Sequence, residues 1–316
     1  MAIEMPADSS RNETQRRSRK RRRSYGPYLV VVPVMLTIGV FQYYPAVNGI
    51  FRSFFAWNPA GDSPFVGVQN YARMMSDSAW WLSFRNLGII FVFGVASWSI
   101  PLLAAELVVS LRSARARFVF RTLLILPMAF PGVVTALIWS FIYHPNDGVL
   151  NRILRDAGLG KLASNWTGDP ALALGALLFI GFPFIAGLPF LIFHSSLSNI
   201  PPEIFEAAQL DGVGRIRRFW TIDLPLMASQ VRLLLFLAVV ATLQYGFVAY
   251  IVTKGGPDNA TAVPVLQMLN EAFQGGDWGY AATLSTTLFV ITLAFSLIVM
   301  FARKKTSRAA SEDGLM

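Results

Sequence analysis

Six stretches of this chain carry no charged residue: Ser24 to Phe51, Asn86 to Ala105, Thr122 to Asn146, Pro170 to Pro202, Leu233 to Thr253 and Trp278 to Ala302. A helix needs about 20 consecutive apolar residues to cross the hydrocarbon core of a bilayer, and each stretch is long enough. The reading is therefore an all-α polytopic membrane protein with six transmembrane helices. Composition agrees: 54% of the 316 residues are hydrophobic and 14% are charged, against about 25% charged in soluble domains. With no cysteine, disulfides, thiolate metal sites and a cysteine nucleophile are all excluded.

The first stretch follows an arginine-rich segment, as a secretory signal would. It is longer than an h-region and no small-x-small cleavage site follows it before Pro45. It reads as a permanent span.

The net charge of +9 would suggest nucleic acid in a soluble protein. Its distribution argues otherwise. With the N-terminus inside, 19 of the 27 Lys and Arg residues fall on inner segments and seven on outer loops, leaving Arg232 within the fifth stretch. That asymmetry is the positive-inside pattern, and it places both termini in the cytoplasm. The run Arg16 to Arg23 abuts a span, so it reads as a topology determinant near anionic headgroups rather than a nucleic-acid arm. Residues 1–24 are expected to be a disordered basic tail, 25–305 the membrane domain, and 306–316 a second cytoplasmic tail.

Two charges lie inside or beside the membrane, Glu106 and Arg232. Both are within about two turns of predicted inner ends, where long side chains reach the interface, and a coupling role is the alternative. His144 and His194 sit singly at span ends and make no metal site. Pro33, Pro101, Pro127, Pro131, Pro183 and Pro189 fall within spans and predict kinks or local unwinding.

The most informative segment is the inner loop 198–225. Pro202 suits a first helical position and Gly212 a left-handed helix stop. A second short helix is expected from about Val213 to Thr221, with Leu224-Pro225 opening the next span. The small Ala207 and Ala208 would let a partner approach closely, and Arg215, Arg217 and Arg218 add a basic face.

Here the sequence resembles a known family. Glu206, Ala207, Ala208, Gly212, Ile222, Leu224 and Pro225 meet the Glu-Ala-Ala, three residues, Gly, nine residues, Ile-x-Leu-Pro pattern of permease subunits in binding-protein-dependent ABC importers. Further motifs resemble the carbohydrate-uptake branch, which includes the maltose and glycerol-3-phosphate permeases. They are Gly67-Val-Gln-Asn-Tyr71, Arg121 with Leu126-Pro127, Trp139, Gly148-x-x-Asn151 and Thr253-x-Gly-Gly-Pro257.

The resemblance covers roughly residues 28 to 302. It implies the type I ABC importer permease fold in a bacterial-type cytoplasmic membrane. The implied partners are a second homologous permease, two ATP-binding subunits and an extracytoplasmic substrate-binding protein, with a sugar as substrate and no cofactor on this chain. It also implies that the loop containing Glu206, Ala207, Ala208, Asp211, Gly212, Ile222, Leu224 and Pro225 couples to the ATPase.

The residues support that division of labour. The one Gly-Lys pair, Gly160-Lys161, lacks both the upstream glycine and the following Ser/Thr of a phosphate-binding loop, so ATP hydrolysis is assigned to another chain. A polytopic sugar transferase would need clustered acidic or histidine residues at a membrane face, and the acidic residues here are scattered.

Substrate contacts carried over by motif frame are Met128 and Gly132 in the third span and Gly181, Phe184 and Ile185 in the fourth. In the fifth they are Ala238, Thr242 and Tyr245, whose spacing of four and three would put them on one helix face. Ordinary helix packing is the alternative for each. Among the spans only Arg232 offers a cation, which favours an oligosaccharide over a glycerol-phosphate. Trp57, Trp80 and Trp81 read as interfacial anchors.

Overall fold

A computed structural model describes residues 26–185 and 187–313. The basic N-terminal run and the whole of the expected first tail lie outside the described residues. Those described form a helical protein whose one extended pairing is an antiparallel bridge between Phe55 and Phe65.

The chain divides into two units, residues 1–48 and 49–316. The described part of the first comprises α1 (Gly26–Ile38), a π turn (Gly39–Tyr43) and most of α2 (Tyr44–Arg52). Together, Val31–Arg52 form a 22-residue apolar helix with no buried residue. Pro33 is accommodated within α1. The π turn ends two residues before Pro45, whose missing N–H cannot continue the α ladder.

The second unit begins with α3 (Gln69–Ser76), α4 (Ser78–Ser97) and α5 (Ser99–Val109). The last two form one apolar run, Ser78–Val109, of 32 residues. It continues through α6 (Ala114–Ile125), a 3-10 turn (Leu126–Ala129) and α7 (Gly132–Ile142), a pair bent by 87°. Pro127 and Pro131 account for that bend: each removes a backbone donor, and Pro131 is extended with ψ 137°.

After α8 (Val149–Asp156) come α9 (Ala173–Leu178) and α10 (Leu188–Ser198). These two divide the predicted fourth span. Between them Gly181 and Phe184 adopt φ of 92° and 61°, incompatible with a right-handed helix. The 11 residues of α10 rise about 16 Å, short of the roughly 30 Å core.

The inner loop holds α11 (Pro202–Leu210), α12 (Arg215–Arg218), a second π turn (Phe219–Asp223) and α13 (Leu224–Leu226). Then follow α14 (Ala228–Leu243), α15 (Phe247–Val252), α16 (Pro264–Phe273) and α17 (Trp278–Asp313). Residues 215–226 and α14 form a second bent pair, at 70°. The expected start of the fifth span at Leu224-Pro225 is therefore displaced to Ala228: Leu224 and Pro225 close the preceding helical stretch, and the chain turns at Met227. Among the described residues three helices are long and apolar enough to cross a membrane, or up to five if each bent pair is one span.

Three buried clusters hold the second unit. One joins α5, α10 and the base of α14 through Ala105, Val108, Phe190, Phe193, Leu197 and Met227, with Ile204 and Phe205 of α11 packed against it. A second joins α3, α4 and α17 through Met74, Trp80, Tyr280 and Leu284. The third joins α4, α9, α15 and α16 through Leu87, Leu177, Ala249 and Leu266.

The carbohydrate-branch motifs acquire physical roles in this packing. Asn70 donates to the carbonyls of Ser53 and Phe55, both at 3.0 Å, and the Tyr71 hydroxyl pairs with Ser53 Oγ at 2.7 Å. Asn151 is 1% exposed and makes four bonds: it donates to the Pro145 and Ser164 carbonyls and accepts from the Ser164 amide and Trp166 Nε1. A Cβ at Gly148 would stand 2.3 Å from the His144 carbonyl, so only glycine fits there. In the Thr253-to-Pro257 turn, Thr253 Oγ1 meets Thr261 Oγ1 at 2.7 Å, and Asn86 of α4 donates to the Ala260 and Ala262 carbonyls at 3.2 and 2.8 Å. Each of these three motifs closes a loop over helix ends.

Candidate functional site

The loop 198–225 is built as the sequence suggests, from Pro202 in the first helical turn to a left-handed stop. Gly212 has φ 68°, and its N–H bonds to Gln209 at 3.1 Å while that of Val213 bonds to Ala208 at 3.0 Å. That pair of bonds is a Schellman closure, which satisfies carbonyls that a helix end otherwise leaves open.

The helix stands on a narrow base. Ala208 is buried, whereas Glu206, Ala207 and Asp211 are exposed. The two alanines therefore separate: Ala208 lets α11 approach its own chain and Ala207 faces outward. Leu210 is 89% exposed and Ile216 is 80% exposed. Large apolar side chains so fully exposed on adjoining turns form a surface that water disfavours.

Below this surface lies an ionic cluster that sequence reasoning did not assemble. Arg218 donates from Nε to Asp223 Oδ2 at 3.0 Å and from Nη2 to Glu106 Oε2 at 3.3 Å. Its guanidinium also stacks 4.7 Å from the Phe205 ring of α11. Asp223 is fully buried, and Glu106 Oε1 and Asp223 Oδ1 have no hydrogen-bond partner. One cation thus serves two carboxylates, Asp223 fully buried and Glu106 half-buried, and it connects the inner end of α5, the π turn and α11. Arg218 turns inward while Arg215 and Arg217 are exposed, so the expected basic face has two members. Glu106 was visible as an unusual charge; Asp223, the unspecified residue of Ile222-x-Leu224-Pro225, gave no signal of its own. Ile222 and Leu224 are half-buried beside it, and Pro225 is exposed.

The expected pathway residues fall into three groups, and all of them but Ala238, which lies within α14, stand at a helix break. Met128 is in the 3-10 turn and Gly132 opens α7, on either side of the 87° bend. Gly181, Phe184 and Ile185 lie in the irregular segment between α9 and α10. There the rings of Phe179 and Phe184 lie 5.8 and 5.6 Å from that of Phe93 on α4.

Ala238 and Thr242 share a face of α14, but the helix ends at Leu243, so Tyr245 follows its end and does not continue that face. Tyr245 instead packs against the cluster containing Leu87 and Ala249. Among the described residues no group of three or more His, Asp or Glu side chains is placed to hold a metal ion.

The chain is similar to known proteins over most of its length. Residues 97–307 match the family model described as binding-protein-dependent transport system inner membrane component. A probable ABC transporter permease protein, YurN, of Bacillus subtilis is 34% identical over 281 residues, covering 87% of this chain and 94% of the relative. The diacetylchitobiose uptake system permease protein NgcF of Streptomyces coelicolor is 28% identical over 301 residues, covering 89% and 83%. Among solved structures, a bacterial ABC transporter involved in import of the acidic polysaccharide alginate superposes with a TM-score of 0.76 at 19% identity, covering 90% of this chain and 96% of that one.

Proposed function

Because this chain belongs to the family of binding-protein-dependent transport system inner membrane components, a multi-pass, non-catalytic permease of the inner membrane, we propose that it forms half of the translocation pathway of an ATP-driven sugar importer. In this reading it crosses the membrane six times, the divided α9 and α10 supplying the fourth crossing, with both termini inside. It pairs with a second homologous permease, two ATP-binding subunits and an extracytoplasmic binding protein. An oligosaccharide is the substrate class; the diacetylchitobiose uptake named for one relative supports it.

The observation that carries the reading is the inner loop. A short helix closed at Gly212 exposes Glu206, Ala207 and Leu210, while Ala208 and Phe205 hold it to the body of the protein. Seated in a cleft of the ATPase, such a helix is moved when two ATPase subunits close. Arg218 then conveys the motion to α5 through Glu106 and to the base of α14 through Asp223. Movement of this kind requires contacts that differ between inward-open and outward-open states, and the bends at 126–131 and at Met227 are where helices can repack.

Non-helical backbone at membrane depth is tolerated where it is buried in protein or lines a watery cavity. The helix breaks beside Met128, Gly132, Gly181, Phe184, Ile185, Thr242 and Tyr245 therefore favour these segments as pathway walls.

The test is assembly and uptake with the cognate ATP-binding subunit. Co-purification that is lost when Gly212 is replaced by valine supports the reading. Assembly and uptake both unchanged in that variant would overturn the coupling role, and ion-driven flux in liposomes containing this chain alone would overturn the importer role.

A further inference from the structure

A cavity of about 760 Å³ lies between α6 and α10. Its wall is largely apolar, with Ile125, Leu126 and Leu191 among its members. It carries a polar side made by Arg121 and Thr122 of α6, His194, Ser195 and Ser198 of α10, and Asn199 just beyond. Met128, a residue expected on the pathway, lines the same cavity.

Helix α10 is two-sided. Phe190, Phe193 and Leu197 are buried in the cluster with α5, and the three polar residues recur at helical spacing on the cavity side. His194 is 6% exposed, and its buried Nε2 has no hydrogen-bond partner. That nitrogen is sealed from the cavity, so the polar groups open to a solute there are those of Thr122, Ser195, Ser198 and Asn199. Arg121 makes none of the ion pairs found among the described residues, and its nearest ring partner, Phe118, is 5.9 Å away. Among the described residues no carboxylate pairs with that charge.

We propose that this cavity is a water-filled inner vestibule of the translocation pathway and that it admits a saccharide bearing an anionic group, carboxylate or phosphate. The hydroxyls and amide match a polyhydroxylated solute, and a guanidinium fork matches either anion. Its volume lies within the range of sites for small ligands. The inference rests on the permease reading and adds a charge preference to it. Arg121 borders the third uncharged stretch, so a count of charges within the stretches passes over it.

The chain has no native cysteine, which makes single-cysteine labelling direct. Ser195→Cys, with Ser198→Cys as a second variant should the first not assemble, is labelled in the assembled transporter. The reagents are a sulfonate-bearing and a trimethylammonium-bearing methanethiosulfonate, with rates normalised to free cysteine. The expected result is about fivefold faster reaction with the anionic reagent, the effect of one unit charge across several ångströms of wet site, and a ratio near one in Arg121→Gln.

D-glucuronate or D-glucose 6-phosphate should slow labelling more than D-glucose, and the effective acid identifies the anionic group. No reaction with either reagent would show the cavity filled by lipid or by the partner permease and would overturn the vestibule. Equal normalised rates in the Arg121 background, or protection by glucose as strong as by both acids, would overturn the charge preference. Co-purification with the ATP-binding subunit is scored on the same samples, so failure of the permease reading is distinguishable from failure of the vestibule.

Discussion

Arg218 and Glu106 stand 112 residues apart in sequence, yet the guanidinium of one reaches the carboxylate of the other at 3.3 Å and holds Asp223 at 3.0 Å in the same grip. Arg218→Ala strands two carboxylates, one of them fully buried. The expected loss is about 2–4 kcal/mol, below that for a wholly buried pair because Arg218 and Glu106 keep some exposure. Glu106→Gln keeps an acceptor and should cost less. Thermal unfolding of the purified complex checks the order. Transport per ATP hydrolysed checks the coupling, and should fall in Arg218→Ala by more than ATPase binding does.

Gly212 has open space where a Cβ would stand, so a side chain there meets nothing and the penalty is backbone strain at φ 68°. Gly212→Asn should keep the ATPase subunit bound, since asparagine tolerates the left-handed region. Gly212→Val should lose about 1–2 kcal/mol of loop stability and most of the bound ATPase. Pull-down of the two variants side by side distinguishes strain from bulk.

At Gly279 the constraint is contact with neighbouring backbone. A Cβ would lie 2.1 Å from the Phe55 carbonyl oxygen and 2.8 Å from the Trp57 amide. Gly279→Ala should cost about 3 kcal/mol or more by overpacking against backbone that has little room to yield. Gly94→Ala, in α4 with nothing within 4 Å, should instead be neutral or stabilise by about 0.5–1 kcal/mol. Melting temperatures of the two variants should move in opposite directions or by very unequal amounts.

Glu271 belongs to a second polar cluster, where Arg73 pairs with Glu271 and Asp277 while stacking on Tyr280, whose hydroxyl donates to Asp77 at 2.6 Å. Burial lifts the Glu271 carboxyl above its ordinary value, the Arg73 charge opposes the lift, and Asp277 and Asp77 add to it. For an acid raised on folding, the linked stabilisation is present below the unfolded value near 4.5 and is lost as pH rises through the folded value. Glu271→Gln should flatten the fall in stability over that window. Thermal melts from pH 4 to pH 7 measure it, and an unchanged slope would refute the assignment.

Much of this was legible because membrane helices and conformational stops leave strong marks in sequence. The uncharged stretches locate helices, and Gly212 and Pro202 bound α11. Other features were hidden for physical reasons. Three arginines within four residues look alike in sequence, and only the path of α12 decides that Arg218 turns inward. The fourth stretch reads as one span because Gly181 and Phe184 are apolar whatever their φ. Tyr245 sits three residues after Thr242, as a helix face requires, but the helix ends between them.

The π turn at Phe219–Asp223 has a further consequence. It houses one residue more than an α-helix places in the same rise, so the chain beyond it is out of phase by one residue, about 100° of rotation. A helical wheel begun at Arg215 therefore assigns Leu224 and its successors to the wrong side. A reliable angular assignment of Ala238 and Thr242 takes its origin at Ala228, after both the extra residue and the turn at Met227.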